Sequence, residues 1–567
     1  MKAKRVRLIL MGVGVLALLC LFEVRAFYLQ TLSRDRFLQR AKRQYYARVV
    51  IPSKRGRIMD REGRVMAVSL LVPSLYAVPF EVTDKGRAAR LLSEVLQVSP
   101  SAIEGKLSSN RHFVWIKRHA SPQEFEKVRE LGIRGIDAVK EPKRFYPYRE
   151  LASPLLGFVG VDHQGLEGLE RAYDKWLRAP AVEMVMERDA LGRLISLPLE
   201  PDTGGPWDLR LTLDVRVQYI LEKELERGMI EAQAKRAVGV IIDPFTGEIL
   251  AMASLPSFNP NCFSQYPPER WKNLCTMGLF EPGSVLKPFL IGAALQEGIV
   301  GRNDVLFCEG GRYHVGPVTV RDVKAYEWLT VEEILQFSSN IGAAKVARAM
   351  GAYRYYRYLR AFGFGRATGV GVPEEEGILR PPRNWTLVDL VTLGFGQGMV
   401  CTPLQLAVAY SVIANGGVRV NPYVVKEMVR VRDGKRRASF PQPGQRVLSR
   451  ETCRVLMEML ERVVAEGTGK KASLEGYPVA GKTGTSQKYD PEEGRYSRER
   501  FVASFVGILP SRRPRAVVVI MLDEPKRSIY GGEVAAPIFK GIARELVQYW
   551  GLPRRGKMTL LADGRSL

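Results

Sequence analysis

The first thirty residues leave this chain few ways to fold in water alone. Lys2, Lys4, Arg5 and Arg7 precede an unbroken apolar run from Leu8 to Phe22, and weaker apolarity continues through Val24, Ala26, Phe27, Tyr28 and Leu29. As a helix, 8–29 extends roughly 33 Å at about 1.5 Å per residue, enough to cross a bilayer. A cleaved signal peptide needs a small-residue site after its apolar core, and Glu23-Val24-Arg25-Ala26-Phe27 supplies none. The expectation is an uncleaved transmembrane signal anchor at 8–29. The basic flank keeps a cytoplasmic tail, 1–7, inside and sends the following residues to the periplasmic or extracytoplasmic side of the inner (cytoplasmic) membrane. No second apolar run of that length follows, so the chain reads as single-pass. Glu23 and Arg25 either snorkel to the interface or face a partner membrane protein.

The remaining chain has the composition of folded domains. With 567 residues, 46% apolar and 26% charged, it is long enough for two or more cores. Its net charge of +25 favours anionic surfaces such as phospholipid or cell-wall polymer. No zinc-finger or RNA-binding signature accompanies the dispersed basic residues, which argues against nucleic acid. The six cysteines form no C-x-x-C pair, and the histidines, His112, His119, His163 and His314, are scattered. That argues against a metal site and against a Ser-His-Asp triad. Cys262 and Cys275 are either bridged or two unpaired thiols.

Residues 30–50 carry a helical pattern, with Phe37, Ala41 and Tyr45 or Tyr46 on one face. Residues 55–205 mix short strands with helices such as Ala120 to Leu131. The breaker cluster Pro201-Asp202-Thr203-Gly204-Gly205-Pro206 marks a boundary. Beyond it come a strand at Asp208 to Leu213, an amphipathic helix at Val215 to Ala234 and a hairpin of Val238 to Asp243 with Glu248 to Ser254. Helical patterns dominate 284–415. Two late strands, Phe501 to Leu509 and Ala516 to Leu522, precede a last helix from Pro537 to Trp550. Strands at both ends of one domain with helices between them predict a central antiparallel sheet flanked by helices, an α+β multidomain fold. The basic tail, 551–567, is expected to be disordered.

Two incompatible motifs share the same lysine. Gly476 to Thr483 reads G-Y-P-V-A-G-K-T, a literal phosphate-cradling P-loop pattern. Lys482-Thr483-Gly484-Thr485 also completes a series with Ser284-Val285-Leu286-Lys287 and Ser338-Ser339-Asn340. That series is S-x-x-K, S-x-N and K-T-G in order, the serine acyl-transfer set. A P-loop must open a helix at its Lys-Thr. Here turn-forming residues follow, so the nucleotide-hydrolase reading is the weakest. Val517 to Leu522 with Asp523-Glu524 is its one further support. The serine reading has a chemical logic. Lys287 lies one turn from Ser284 on the same face, and a desolvated lysine can be neutral enough to take the serine proton. A helix N-terminus adds positive potential where negative charge develops. Gly484 lets a substrate backbone approach closely, and a peptide could add to that strand edge.

With these motifs the chain resembles a class B penicillin-binding protein, a peptidoglycan D,D-transpeptidase. Further likeness lies in Arg55 to Gly63 through Ala67-Val68-Ser69, in Arg144-Phe145-Tyr146-Pro147 and in Gly157 to Gly160 through Gly165 to Glu170. Pro256 to Asn261 and Thr402-Pro403-Leu404-Gln405 are also family-like. Val24 to Gln30, Met66 to Ser69 and Ser338 to Gly342 look most like the division branch, the FtsI group. The resemblance implies a non-catalytic pedestal (dimerisation-like) domain at 30–205 and a penicillin-binding transpeptidase domain at 206–550, with no glycosyltransferase domain. It implies Ser284 as nucleophile, Lys287 as its base, Ser338 and Lys482 as a proton relay and Asn340 as a substrate-amide contact. Thr483, Gly484 and Thr485 would bind substrate, and the N–H groups of Ser284 and Thr485 would form the oxyanion hole. No metal or cofactor is implied. The implied partners are stem peptides, β-lactams and the membrane, with a SEDS glycosyltransferase of the FtsW type and other divisome membrane proteins. The implied role is crosslinking in septal wall synthesis. The alternatives are an elongation-type transpeptidase, and a non-catalytic penicillin-binding sensor or scaffold.

Overall fold

The computed structural model describes residues 2–38, 46–51, 54–111, 113–178, 182–187, 205–439, 444–490, 492 and 494–554. The tail beyond 554 and most of the 201–206 breaker lie outside the described residues. Two compact units emerge: Met1–Ser53 with Ala179–Gly205, and Lys54–Arg178 with Pro206–Leu567.

In the first unit, helix α1 (Lys2–Phe27) runs on through a π turn, Tyr28–Leu32. Among the described residues it is the one helix long and apolar enough to span a bilayer. The helix expected over 30–50 does not persist. Tyr46–Ile51 is a strand, paired antiparallel with Val182–Glu187, Tyr46 opposite Glu187. The β-branched run Val49-Val50-Ile51 suits a strand, and its partner lies too far along the chain for local periodicity to reveal.

In the second unit, residues from both sides of the 201–206 breaker share one sheet. Trp207–Leu211 pairs in parallel with Ile58–Met59 and antiparallel with Val425–Arg430. Ile58–Met59 continues into Val65–Ala77, which carries Val114–Lys117 and Ile136–Phe145. The helix expected at Ala120 to Leu131 is Pro122–Glu130, started by a capping box of Ser121 and Glu124.

An ion network built from the family-like segments includes Arg144 of the strand Ile136–Phe145. Glu170, fully buried, takes Arg55 Nε on Oε2 at 2.5 Å and Arg144 Nε on Oε1 at 2.6 Å. Tyr146 donates its hydroxyl to Glu170 Oε1 at 3.2 Å, and Arg55 Nη1 reaches Asp174 at 2.5 Å. Burial opposes the charge on Glu170, but Arg144 and Arg55 outweigh it and hold the carboxyl below its ordinary range.

A second sheet has five antiparallel strands: β1 (Arg236–Ile242), β2 (Ile249–Leu255), β3 (Ala480–Asp490), β4 (Arg495–Leu509) and β5 (Ala516–Asp523). Their spatial order is β3-β4-β5-β1-β2, with Val517 opposite Ile242 where the two chain ends meet. Helices α2 (Val215–Glu231), α3 (Lys287–Gln296), α4 (Asn340–Met350), α5 (Pro403–Ala414), α6 (Arg450–Ala465) and α7 (Gly531–Tyr549) surround it. Side chains alternate between two cores, as strand geometry requires. Val238, Val240, Ile242, Val506, Val517 and Val519 join the core containing α3, α4 and α5. Ala237, Ile241, Phe505, Val518 and Ile520 meet Leu221 and Leu225 of α2 and Phe539 and Ile542 of α7. Helix α5 is buried on every side. Thr402-Pro403-Leu404-Gln405 is its capping box: Gln405 N donates to Thr402 Oγ1 at 3.2 Å, and Thr402 N to Gln405 Oε1 at 2.9 Å.

Helix α7 starts at Gly531, not at Pro537, which lies inside it. Proline ends many helices, but here the burial of Ala535, Ala536, Ile538 and Phe539 outweighs one missing hydrogen bond. All six cysteines are unpaired, and Cys275 Sγ donates to Ala253 O at 3.2 Å.

Candidate active site

The Glu281-Pro282-Gly283 turn delivers Ser284 into a cleft between β3 and the 395–398 loop. Gly283 has φ +58°, and its N–H donates to Gly396 O at 2.9 Å. A Cβ on Gly396 would lie 2.0 Å from Gly283 O, and one on Gly283 would lie 2.9 Å from Thr485 O. Both positions therefore require glycine. A tight turn, Gly283–Leu286, leads into α3, and Tyr410 OH holds Val285 O at 2.8 Å. Pro288 falls in the first turn of α3, where its absent N–H costs nothing.

Lys287, fully buried, reaches back one turn. Its Nζ is 3.0 Å from Ser284 Oγ, 2.6 Å from Ser338 O, 3.3 Å from Ser338 Oγ and 2.8 Å from Asn340 Oδ1. Lys482, also fully buried, donates to Ser338 Oγ at 2.8 Å from β3. Ser338 thus lies between two lysine amines. Burial lowers Lys287 to about 7, partly opposed by Asp322. Burial and the charge of Lys287 push Lys482 well below the usual lysine range.

The S-x-N segment is a strained turn. Ser338 has φ +62°, a conformation costing a non-glycine residue on the order of 1–3 kcal/mol. Ser339 caps α4 by accepting from Gly342 N at 2.9 Å. Asp322, just past the Val318–Arg321 strand, accepts from Ser339 Oγ at 2.6 Å and from Asn340 N at 2.5 Å. Sequence reasoning missed Asp322, because nothing local distinguishes it from any loop aspartate.

Lys482-Thr483-Gly484-Thr485 lies inside β3, an edge strand of the sheet. No helix opens at Lys482-Thr483, so the P-loop geometry is absent there. The acidic pair Asp523-Glu524 is taken up by Lys488, at 2.8 and 2.6 Å. Thr483 Oγ1 pairs with Thr468 Oγ1 at 2.8 Å, and Gly531 N donates to Thr485 Oγ1 at 3.4 Å. Gly484 answers to packing rather than to open space. A Cβ there would meet Ser504 Oγ at 2.3 Å and Val285 Cγ1 at 2.9 Å. The absence of a side chain at Gly484 thus has a packing reason in the 283–286 turn, beside the substrate approach expected from the sequence.

A cavity of about 690 Å³ adjoins the cleft, lined by Met277, Phe280, Glu281, Met399, Ser486 and Tyr496 among others. Glu281 Oε1 accepts from Gly398 N and Tyr496 OH at 2.9 Å each.

Residues 237–544 match the family described as Penicillin binding protein transpeptidase domain, and residues 50–204 match the Penicillin-binding Protein dimerisation domain. The chain belongs to the penicillin-binding transpeptidases, class B. Among curated members of this family, Peptidoglycan D,D-transpeptidase FtsI of Escherichia coli K12 is 34% identical over 544 residues, covering 94% of this chain and 90% of that protein. A probable peptidoglycan D,D-transpeptidase, PenA of Neisseria gonorrhoeae, is 34% identical over 567 residues, 98% of this chain and 95% of that one. Among solved members, penicillin binding protein 3 of Mycobacterium tuberculosis, complexed with aztreonam, superposes with a TM-score of 0.70 at 28% identity, over 89% of this chain and 98% of its own. The likeness to class B penicillin-binding proteins expected from the motifs is a family membership spanning nearly the whole chain.

Proposed function

We propose that this protein is a peptidoglycan D,D-transpeptidase acting through an acyl-serine intermediate. The observation that carries the reading is the contact of the buried Lys287 Nζ with Ser284 Oγ at 3.0 Å, continued through Ser338 Oγ to the buried Lys482 Nζ. Lys287, shifted by burial to about 7, takes the Ser284 proton as Oγ attacks the carbonyl carbon between two D-alanines. The C–N bond breaks, and the leaving amine receives its proton through Ser338 and Lys482. Asn340 holds a substrate amide, the Thr483 and Thr485 hydroxyls hold the terminal carboxylate or its β-lactam mimic beside Gly484, and the N–H groups of Ser284 and Thr485 stabilise the oxyanion. A second stem peptide's amine then attacks the ester carbonyl, forming the crosslink and restoring Ser284. No metal or cofactor enters these steps.

The same reading takes 30–205 as a pedestal, 206–550 as the transpeptidase domain and the N-terminal helix as a single-pass anchor with its N-terminus in the cytoplasm. The similarity to FtsI supports a septal role alongside an FtsW-type SEDS glycosyltransferase. The enzymatic reading is tested by labelling the protein with a fluorescent penicillin, wild type against Ser284→Ala, with excess ATP as competitor. A covalent band that ATP leaves unchanged and Ser284→Ala abolishes is expected; no band in folded wild type refutes the reading. For the role, a fluorescent fusion should gather at the division site, and an even distribution along the side wall would favour elongation.

A further inference from the structure

The three sequence motifs do not hold the Ser338 turn by themselves. Its clamp is Asp322, which belongs to none of them. Asp322 Oδ2 accepts from Ser339 Oγ at 2.6 Å, while Oδ1 accepts from the backbone N–H groups of Asn340 at 2.5 Å and Ile341 at 3.1 Å. Arg321 contributes its carbonyl to Asn340 Nδ2 at 3.0 Å, which turns Asn340 Oδ1 toward Lys287 Nζ at 2.8 Å. One strand end thus fixes both the backbone of 339–341 and the orientation of the Asn340 amide. A left-handed serine persists only where its surroundings over-determine it, and this clamp begins one residue after Ser338.

We propose that Asp322 is a positioning residue for acyl transfer, its carboxylate locking the 338–340 turn so that Ser338 Oγ sits between the two lysine amines and Asn340 Oδ1 meets Lys287. The inference rests on the reading of Ser284 as the nucleophile and Lys287 as its base.

The clamp also has a charge. The charged groups facing Lys287 are Asp322 and, from β3, Lys482; its other polar contacts, Ser284, Ser338 and Asn340, are neutral. Around Asp322 itself stand Cys308 and Tyr326, whose protons its charge helps retain, with Lys345 acting on Cys308 in the opposite sense. Asp322 opposes the downward push of burial on Lys287. Removing its charge while keeping its shape leaves the Lys287 amine proton-free at lower pH.

The experiment measures the rate constant of acylation by fluorescent penicillin from pH 5 to 9 on the full-length protein in detergent. Wild type, Asp322→Asn, Asp322→Ala and Ser339→Ala are compared, with Ser284→Ala as the blank. Asp322→Ala is expected to slow acylation roughly tenfold to a hundredfold, the scale of a small misplacement of reacting groups. Asp322→Asn keeps an acceptor for the two N–H groups and loses less, but its acid limb moves to lower pH by on the order of one unit. A purely structural residue would lower the rate at every pH and leave the limb where it was; that result overturns the proposal. Ser339→Ala carries the clamp test should Asp322→Ala not fold, and it should slow acylation without moving the limb. Wild-type rates and an unmoved limb in folded Asp322→Asn and Ser339→Ala also overturn it. Failure of the underlying reading shows differently, as wild type that does not label or a label that survives Ser284→Ala.

Discussion

Replacing Glu170 by Gln keeps the side chain's volume and removes one buried charge. In the native protein that carboxylate receives Arg55 Nε at 2.5 Å, Arg144 Nε at 2.6 Å and the Tyr146 hydroxyl at 3.2 Å, with all the arginine and glutamate side chains essentially inaccessible to water. An amide offers one oxygen where two were used, so its NH₂ must face a guanidinium donor. Arg55 keeps Asp174 at 2.5 Å, whereas Arg144 is left with neutral oxygens, Gly56 O at 2.7 Å and Ser69 Oγ at 3.5 Å. Removing one partner of a buried ion pair costs about 3–5 kcal/mol, and the surviving Asp174 contact sets the expectation at the lower end, about 3 kcal/mol. For the compact unit of about 490 residues that holds Glu170, at about 2.1 cal/mol/K per residue, that is a fall in melting midpoint of about 3 °C. The Glu170 carboxyl is held below its ordinary range, so its contribution is present above the unfolded-state value and lost as pH falls through the folded one. The gap between variant and wild type is therefore full at pH 7 and narrows only below about pH 4. Thermal unfolding by circular dichroism reads the shift, and penicillin acylation at 25 °C is followed alongside. Since Glu170 bonds to none of the groups around Ser284, acylation should stay within about twofold of wild type. A midpoint within about 1 °C of wild type would refute the argument that this network holds the 54–178 region together, and a large loss of acylation in folded protein would refute its separation from the chemistry.

Two further outcomes follow from the cleft. With Lys287 brought to about 7 by burial, penicillin acylation should rise about tenfold between pH 6 and pH 8 as the amine loses its proton; a flat profile, or one still climbing at pH 10, contradicts Lys287 as the base. Gly484→Ala drives a methyl to 2.3 Å from Ser504 Oγ and 2.9 Å from Val285 Cγ1, so it should cost about 1–3 kcal/mol in thermal stability and slow acylation, whereas unchanged melting and labelling would show that the turn has slack.

What could be read in advance divides along physical lines. The hairpin of β1 and β2, helix α2 and the capped helix at Pro122–Glu130 carry their causes within a few residues: apolar runs joined by a Pro244-to-Gly247 turn, amphipathic spacing and a Ser121-Glu124 cap. The residues that meet around Ser338 were legible because each chemical type has its own local signature, even though Ser284, Ser338 and Lys482 are far apart in the chain. Asp322 had no such signature; its role exists only where the Val318–Arg321 strand end touches the start of α4. The helical spacing of 30–50 misleads at Tyr46–Ile51 for the same reason, because the strand's partner is Val182–Glu187. Helix α7 begins at Gly531 rather than at the expected Pro537 because burial against β4 and α2 carries it through the proline. Trp207–Leu211 pairs with strands on both sides of the breaker cluster that suggested a boundary, a relation that composition along the chain does not carry.

The strand order β3-β4-β5-β1-β2 has a consequence for how the enzyme comes into being. The polypeptide delivers Ser284, Lys287 and the S-x-N turn well before β3, β4 and β5, and it is β5 that must dock on β1 to bring the Lys482 edge into the cleft. A chain still being synthesised therefore carries Ser284 and Lys287 before the Lys482 strand has been made. Strand pairings across such sequence distances form slowly, so competence arrives late and all at once, when the carboxyl-terminal strands close the sheet. An unfinished or stalled chain thus lacks the Lys482 edge of the cleft, and covalent capture of a penicillin would report that synthesis and closure of the sheet have both been completed.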